Sequence, residues 1–178
     1  MGDYDVESVT GVSYNKLGKL PVGLQGNPWG NWDPQKFEVE DSAMAMIRMR
    51  SGATVMLEAS WALKTTDVRP MMTTLCGTLG GAAQFPGPWA PMTYTYAINS
   101  VMGDTLVTER PDDFADYGAP NMRIDELMVE APRKEIGQWL DAIREGREPV
   151  VRATEGLAIC RILDAVYTSS RTKKPVYF

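Results

Sequence analysis

The chain of 178 residues contains no histidine. Histidine is the side chain whose ordinary pKa lies nearest neutrality, so a catalyst built here would have to move protons with Lys, Tyr, Asp or Glu. The same absence, with only two cysteines, leaves no Cys–His set for a zinc site. Cys76 and Cys160 lie far apart within apolar patterns and are expected to be buried, reduced thiols. No Gly-x-Gly-x-x-Gly or phosphate loop occurs. The nearest stretch, Gly77-Thr78-Leu79-Gly80-Gly81, has the wrong spacing and no helical pattern after it. It reads as a tight turn between two strands, with glycine supplying positive φ. There is no apolar run of membrane-spanning length and no apolar signal core after Met1, and Val6 stands where a myristoylation signal needs Ser or Thr. The net charge of −5 is spread along the chain, without the concentrated basic surface that nucleic acid requires. These absences lead us to expect a soluble, cytoplasmic protein with no nucleic-acid or membrane partner.

What is present is a run of strand signals followed by helix signals. Val6 to Tyr14 alternates loosely and reads as a strand. A loop rich in Gly, Pro, Asn and Trp follows, from about Lys16 to Lys36, long enough to suggest a functional or partner-covered segment. The strongest β signal runs from Ser42 to Ala62. Ala43, Ala45, Ile47 and Met49 form one apolar row, and Ala53, Val55, Leu57, Ala59 and Trp61 form another. The two rows share a face only if Met49 pairs with Ala53 across a three-residue turn, Arg50-Ser51-Gly52, with Gly52 left-handed. Each large side chain buried in such rows contributes about 1.5–3 kcal/mol. The opposite face then carries Met44, Met46 and Met56 among Arg48, Glu58 and Ser60, with Met46 directly across from Met56. That is not the charged face of a solvated sheet. Shorter strands are expected at about Met71 to Cys76, Ala82 to Phe85, Thr93 to Ile98 and Thr105 to Glu109, and an acidic loop from Pro111 to Asn121.

The end of the chain is helical. Pro132 suits a first helical turn, Ile136, Trp139, Leu140 and Ile143 follow at helical spacing, and Gly146 is a natural stop. Thr154 is placed to cap a second helix, with Glu155 in its first turn and a stripe of Leu157, Cys160, Leu163, Val166 and Tyr167. Lys173 and Lys174 suit its C-terminal end, Pro175 forbids continuation, and Val176 to Phe178 can add an edge strand. Strands first and helices last predict an α+β domain, a mainly antiparallel open sheet with helices on one face.

Three stretches then carry a resemblance: Phe37-Glu38-Val39-Glu40-Asp41-Ser42-Ala43, Ser51-Gly52-Ala53-Thr54 and Leu57-Glu58-Ala59-Ser60-Trp61-Ala62. Together they resemble the central hairpin of the C-terminal domain of the glucose–fructose oxidoreductase/inositol dehydrogenase (Gfo/Idh/MocA) family. Cys76 to Gly81 resembles its strand–turn–strand. Glu135 to Trp139, Asp141 to Gly146, and Ile162 to Tyr167 with Ser169-Ser170 resemble its closing helix pair. The resemblance implies a dihydrodipicolinate-reductase-like C-terminal fold, an open sheet of about six strands with helices on one face. The other face commonly packs on a second subunit. It also implies a parent enzyme using NAD or NADP on a sugar, a polyol or a related compound.

In that family a Rossmann domain, a Glu-Lys-Pro turn with the catalytic lysine and a helix bearing Asp and His come first. Residues Met1 to Gly11 resemble the segment just after them. Residues 1–178 would then be a single substrate and oligomerisation domain without a Rossmann partner, holding no catalytic residue, cofactor or metal of its own and inactive alone. Met44, Met46 and Met56 become candidates for the oligomer interface, unless the chain's own loops cover them.

Five residues are candidates for a substrate cleft. Trp29 and Trp32 are costly to expose in a Gly/Pro loop. They either pin the loop to the sheet or wall a sugar site, stacking on apolar sugar faces while Asp33 accepts hydroxyls. Lys64 and Arg69 follow the Trp61 strand and either line the cleft or belong to a solvated loop, with Thr65 and Asp67 between them. Asp112, Asp113 and Asp116 lack the Gly and terminal Glu of a calcium loop and read as a solvated acidic loop. Two further functional readings stay open: a free-standing, non-catalytic carbohydrate-binding or dimerising scaffold, and a self-sufficient enzyme using Lys64 or a tyrosine with carboxylates.

Overall fold

The computed structural model describes residues 2–20, 33–64, 66, 72–86, 94–110 and 124–178. The chain forms two compact units: Met1–Lys64 with Glu148–Phe178, and Thr65–Arg147. The expected class holds, since every strand pair among the described residues is antiparallel and both helices follow the first seven strands. Among the described residues the strands form two four-stranded sheets, one per unit, rather than one sheet of about six.

In the first unit, β1 (Val6–Tyr14), β2 (Ser42–Met49), β3 (Thr54–Ser60) and β8 (Val176–Tyr177) lie in the order β3-β2-β1-β8. The hairpin register is the one its two apolar rows demand. Met46 pairs with Met56 and Ile47 with Val55, and Met49 N–H donates to the Ala53 carbonyl at 2.9 Å. Gly52 closes the turn at φ +92°, a conformation that costs a side-chain-bearing residue energy and glycine almost none.

Helix α2 (Ala153–Thr172) packs on β1 and buries one face of this sheet. Val9, fully buried, centres a core of Val6, Ala45, Ile47, Met49, Ala165 and Val166, with Leu57, Ile162 and Val176 at its margin. Gly11 explains how close the helix comes: a Cβ there would meet Val166 Cγ1 at 2.8 Å. Serine hydroxyls on α2 also complete the strand. Where β8 stops pairing with β1 at Val9, Ser169 Oγ accepts from Gly11 N–H and Ser170 Oγ from Ser13 N–H, each at 3.0 Å. Unpaired strand N–H groups beneath a helix would otherwise be costly.

Several local expectations are corrected. The β3 row is mostly exposed and only Leu57 is half-buried, because α2 lies over β1 and leaves this edge strand outside its cover. On α2 the packed face is Ile162, Ala165, Val166 and Ser169; of the expected stripe only Val166 is buried, and Leu157, Cys160, Leu163 and Tyr167 point elsewhere. Cys160 is therefore exposed, as is Cys76, and both are free thiols. The N-cap of α2 falls on Arg152 rather than Thr154. Glu155, in the first turn as expected, accepts from the Arg152 backbone N–H at 3.0 Å and from its guanidinium at 2.8 and 3.1 Å. The helix ends at Lys173 in a left-handed conformation, and Val176 pairs with Val9 as the edge strand expected of the C-terminus.

In the second unit, β4 (Thr73–Cys76), β5 (Gly80–Pro86), β6 (Tyr94–Met102) and β7 (Thr105–Glu109) form a simple meander. The β4–β5 turn is tight, with Gly77 N–H donating to the Gly80 carbonyl at 2.8 Å. Its glycines are not needed for positive φ. They allow close strand approach: a Cβ on Gly80 would collide with the Asn99 carbonyl, and one on Gly81 would stand 2.8 Å from the Leu75 carbonyl. Helix α1 (Ile124–Glu145) begins well before Pro132, which lies in its interior rather than its first turn. The helix carries on past the lost N–H and stops at Gly146, φ +63°. Residues 111–121, including Asp112, Asp113 and Asp116, lie outside the described residues. No described helix is long and apolar enough to cross a membrane.

Candidate functional site

Three chain segments meet at the end of the first sheet where β1 leaves, β2 begins and β3 finishes. The residue that joins them is Asp41, immediately before β2 and only 1% exposed. Its Oδ2 accepts from the consecutive backbone N–H groups of Lys16, Leu17 and Gly18 at 2.5, 2.6 and 3.3 Å, and Oδ1 accepts from Ser42 Oγ at 3.1 Å. Burial is the largest influence on this carboxyl and raises its pKa. The three N–H groups and the hydroxyl together outweigh it and hold the group below the ordinary carboxylate value. Asp41 is therefore a carboxylate at neutral pH, although buried.

The backbone of Asp41 binds the other two segments. Its N–H donates to the Tyr14 carbonyl at 2.8 Å, extending the β1–β2 ladder by one bond. Its carbonyl accepts from Ser60 Oγ at 2.9 Å and from Trp61 N–H at 3.3 Å. The Ser60 hydroxyl in turn accepts from the N–H groups of Ala62 and Leu63, at 3.3 and 3.1 Å, which fixes the chain leading to Lys64.

Aromatic packing closes the same end. Trp61 donates its indole N–H to the Glu40 carbonyl at 3.0 Å and packs on Phe37, with ring centroids 5.4 Å apart and planes at 51°. Gly18 lies against the Phe37 ring, so closely that any Cβ would collide with it. Asn15 Nδ2 donates to the Phe37 carbonyl at 3.3 Å, while its buried Oδ1 has no hydrogen-bond partner among the described residues. Both flanks of residues 21–32 are thus tied to one place, the first by Asp41 and Asn15 and the second by Phe37. Tyr167 of α2 adds a phenol hydrogen-bonded to the Glu40 carboxylate. That bond first, then burial, then the Glu40 charge, raise the tyrosine pKa.

Of the cleft candidates, Asp33 and Lys64 flank this construction. Asp33 caps the short 3-10 turn Pro34–Lys36, its Oδ1 accepting from Gln35 N–H at 2.9 Å and its Oδ2 lying 3.9 Å from Lys36 Nζ. Lys64 is exposed, three residues beyond Trp61. Trp29, Trp32 and Arg69 lie outside the described residues. Sequence reasoning quoted Asp41 without giving it a role. Its partners are backbone N–H groups, which leave no mark in a sequence; the one available signal was an acidic residue directly ahead of a strongly alternating strand.

The interface candidates stand on the sheet face opposite α2. Met44, Met46 and Met56 are 39, 40 and 75% exposed. With Thr10, Val12 and Glu58 they line a shallow groove of about 420 Å³. Among the described residues no three His, Cys, Asp or Glu side chains are grouped to hold a metal ion.

Comparison with known proteins places this arrangement. Residues 5–178 match the family described as "Oxidoreductase family, C-terminal alpha/beta domain", of the Gfo/Idh/MocA group. A stretch of 81 residues, 46% of the chain, is 36% identical to D-glucoside 3-dehydrogenase of Escherichia coli K12 and spans 22% of that enzyme. An oxidoreductase from Agrobacterium radiobacter, solved with NAD+, L-tartaric acid and magnesium, superposes at a TM-score of 0.62 with 18% identity, over 97% of this chain and 43% of its own. The oxidoreductase yvaA of Bacillus subtilis superposes at 0.59 with 12% identity, over 98% of this chain and 46% of its own. The chain therefore spans less than half the length of these relatives, and the two structural likenesses concern the fold. The match across nearly all of its residues means that the chain belongs to the C-terminal domain family of the Gfo/Idh/MocA oxidoreductases.

Proposed function

We propose that this chain is the substrate-binding and assembly half of an NAD(P)-dependent oxidoreductase acting on a sugar, a polyol or a related compound. When bound, a nicotinamide would supply the hydride acceptor for a carbinol carbon, and a base would be needed for the hydroxyl proton. Among the described residues every strand pair is antiparallel, and none belongs to a parallel strand–loop–helix unit that would present a helix N-terminus to a pyrophosphate. On this reading the nucleotide and the catalytic base belong to a separate domain, and these residues alone turn over nothing.

The observation that carries the sugar half is the joining of two segments at one sheet end. Phe37 against Trp61 brings Asp33 and the flank of residues 21–32 to the end of the sheet from which Lys64 emerges. We assign Trp29 and Trp32 as rings that stack on sugar faces, Asp33 as a hydroxyl acceptor, and Lys64 as a donor. The 36% identity to a D-glucoside 3-dehydrogenase supports a glycoside or sugar as ligand. The assembly half rests on Met44, Met46 and Met56, whose groove lies on the face that α2 leaves open.

Titrating the chain with methyl β-D-glucopyranoside while following tryptophan emission tests the sugar reading. We expect a saturable change without any nucleotide present. A flat titration, with the fold intact by circular dichroism, overturns it.

A further inference from the structure

From the geometry around Asp41 we infer that this residue, which need touch no ligand, is the positioning residue of the sugar-binding end. It clips the segment entering residues 21–32 and the segment carrying Lys64 to each other and to the sheet. The inference rests on the proposed sugar cleft only for the consequence that ligand affinity depends on Asp41.

Lys16, Leu17 and Gly18 are held by the side chain of Asp41, and Ser60 and Trp61 by its carbonyl. Ser60 passes the restraint on to Leu63, one residue before Lys64. Three consecutive N–H groups converging on one carboxylate form a concave anion seat, and here the anion is built into the chain. A buried carboxylate leaves such a seat at the expense of several charge-assisted hydrogen bonds, so the two segments are not free to move independently. A core residue such as Val9 contributes stability without this link, since it touches only the helix–sheet layer.

The test compares the chain with its Asp41→Asn, Ser60→Ala and Val9→Ala variants by amide hydrogen exchange and by glucoside titration. Asparagine keeps the size of Asp41 but removes the charge that the three N–H groups face. In Asp41→Asn we expect exchange at residues 16–20 and at 61–64 to quicken together, by about tenfold or more, while Met44 to Met49 stay protected. The low-field amide proton shifts expected of carboxylate-bound Lys16 and Leu17 should disappear, and glucoside affinity should fall. Ser60→Ala should loosen residues 62–64 and leave 16–18 protected, which keeps the test decisive if the asparagine variant does not fold. Val9→Ala should lower stability and leave affinity unchanged.

Loosening of residues 16–20 alone, no loosening, or loosening with full glucoside affinity overturns the inference. If both segments loosen together but the unmodified chain never responds to glucoside, the clip stands and the sugar reading falls.

Discussion

Met46 and Met56 stand directly opposite each other on β2 and β3, on the sheet face that α2 does not cover. Directly paired strand residues bring their Cβ atoms to about 5 Å, so the two thioethers share one apolar patch with Met44 two residues away. Such a patch is a liability on a lone molecule, and a two-fold axis lets it cover itself.

The double variant Met46→Lys, Met56→Lys should shift sedimentation towards a monomer and keep the circular dichroism of the folded chain. Lysines brought face to face across a two-fold axis repel, and their stems give up little sheet structure. Sedimentation of the unmodified chain as a monomer at about tens of micromolar would remove this surface as an interface between copies.

Gly52→Ala should destabilise the first unit by about 1–2 kcal/mol, because φ is +92° at this position and alanine is strained there. Urea denaturation followed by circular dichroism measures it. The midpoint should fall while the slope is unchanged, since the loss is local to the turn. An unchanged midpoint would mean that Arg50-Ser51-Gly52 closes the hairpin in another conformation.

That hairpin was the most legible part of the sequence. Alternation with a period of two leaves a single register in which both apolar rows share a face, and that register fixes the turn and its left-handed glycine. Helix α2 was half legible. Its termini are marked by Glu155 and Pro175, but it carries apolar residues on two faces, and the larger side chains, Leu157 and Leu163, misdirect the eye. The face that packs is marked by small residues, Ala165 and Ser169, because Gly11 lets the helix lie close on β1. The Asp41 hub was legible only as an acidic residue ahead of an alternating strand, since the backbone N–H groups it binds have no letter. Cys76 and Cys160 were misplaced for a related reason: an apolar pattern shows that a thiol could be buried, not which face of its element is covered.

Asp41 should also shape the acid limb of stability. Its folded pKa lies below the ordinary value, so between the two the unfolded chain binds more protons and stability rises with pH. The contribution is complete above the unfolded carboxyl pKa of about 3.9 and is lost as pH falls through the folded value. Thermal melts from neutral pH down through the carboxylate range should show the unmodified chain losing stability in that window. Asp41→Asn should be less stable at neutral pH by about 1–3 kcal/mol and should lose less on acidification. Parallel acid limbs for the two proteins would show that the carboxyl is not held ionised by Lys16, Leu17 and Gly18.

On the proposed reading these residues supply the sugar-binding and assembly half and leave the nucleotide to another domain. Titrating the purified chain into NADH, and following the dihydronicotinamide fluorescence, tests it most directly. With no parallel strand–loop–helix among the described residues to seat a pyrophosphate, the emission should neither rise nor shift in a saturable way. Saturable binding in the micromolar range would contradict the claim and place a nucleotide site within this chain.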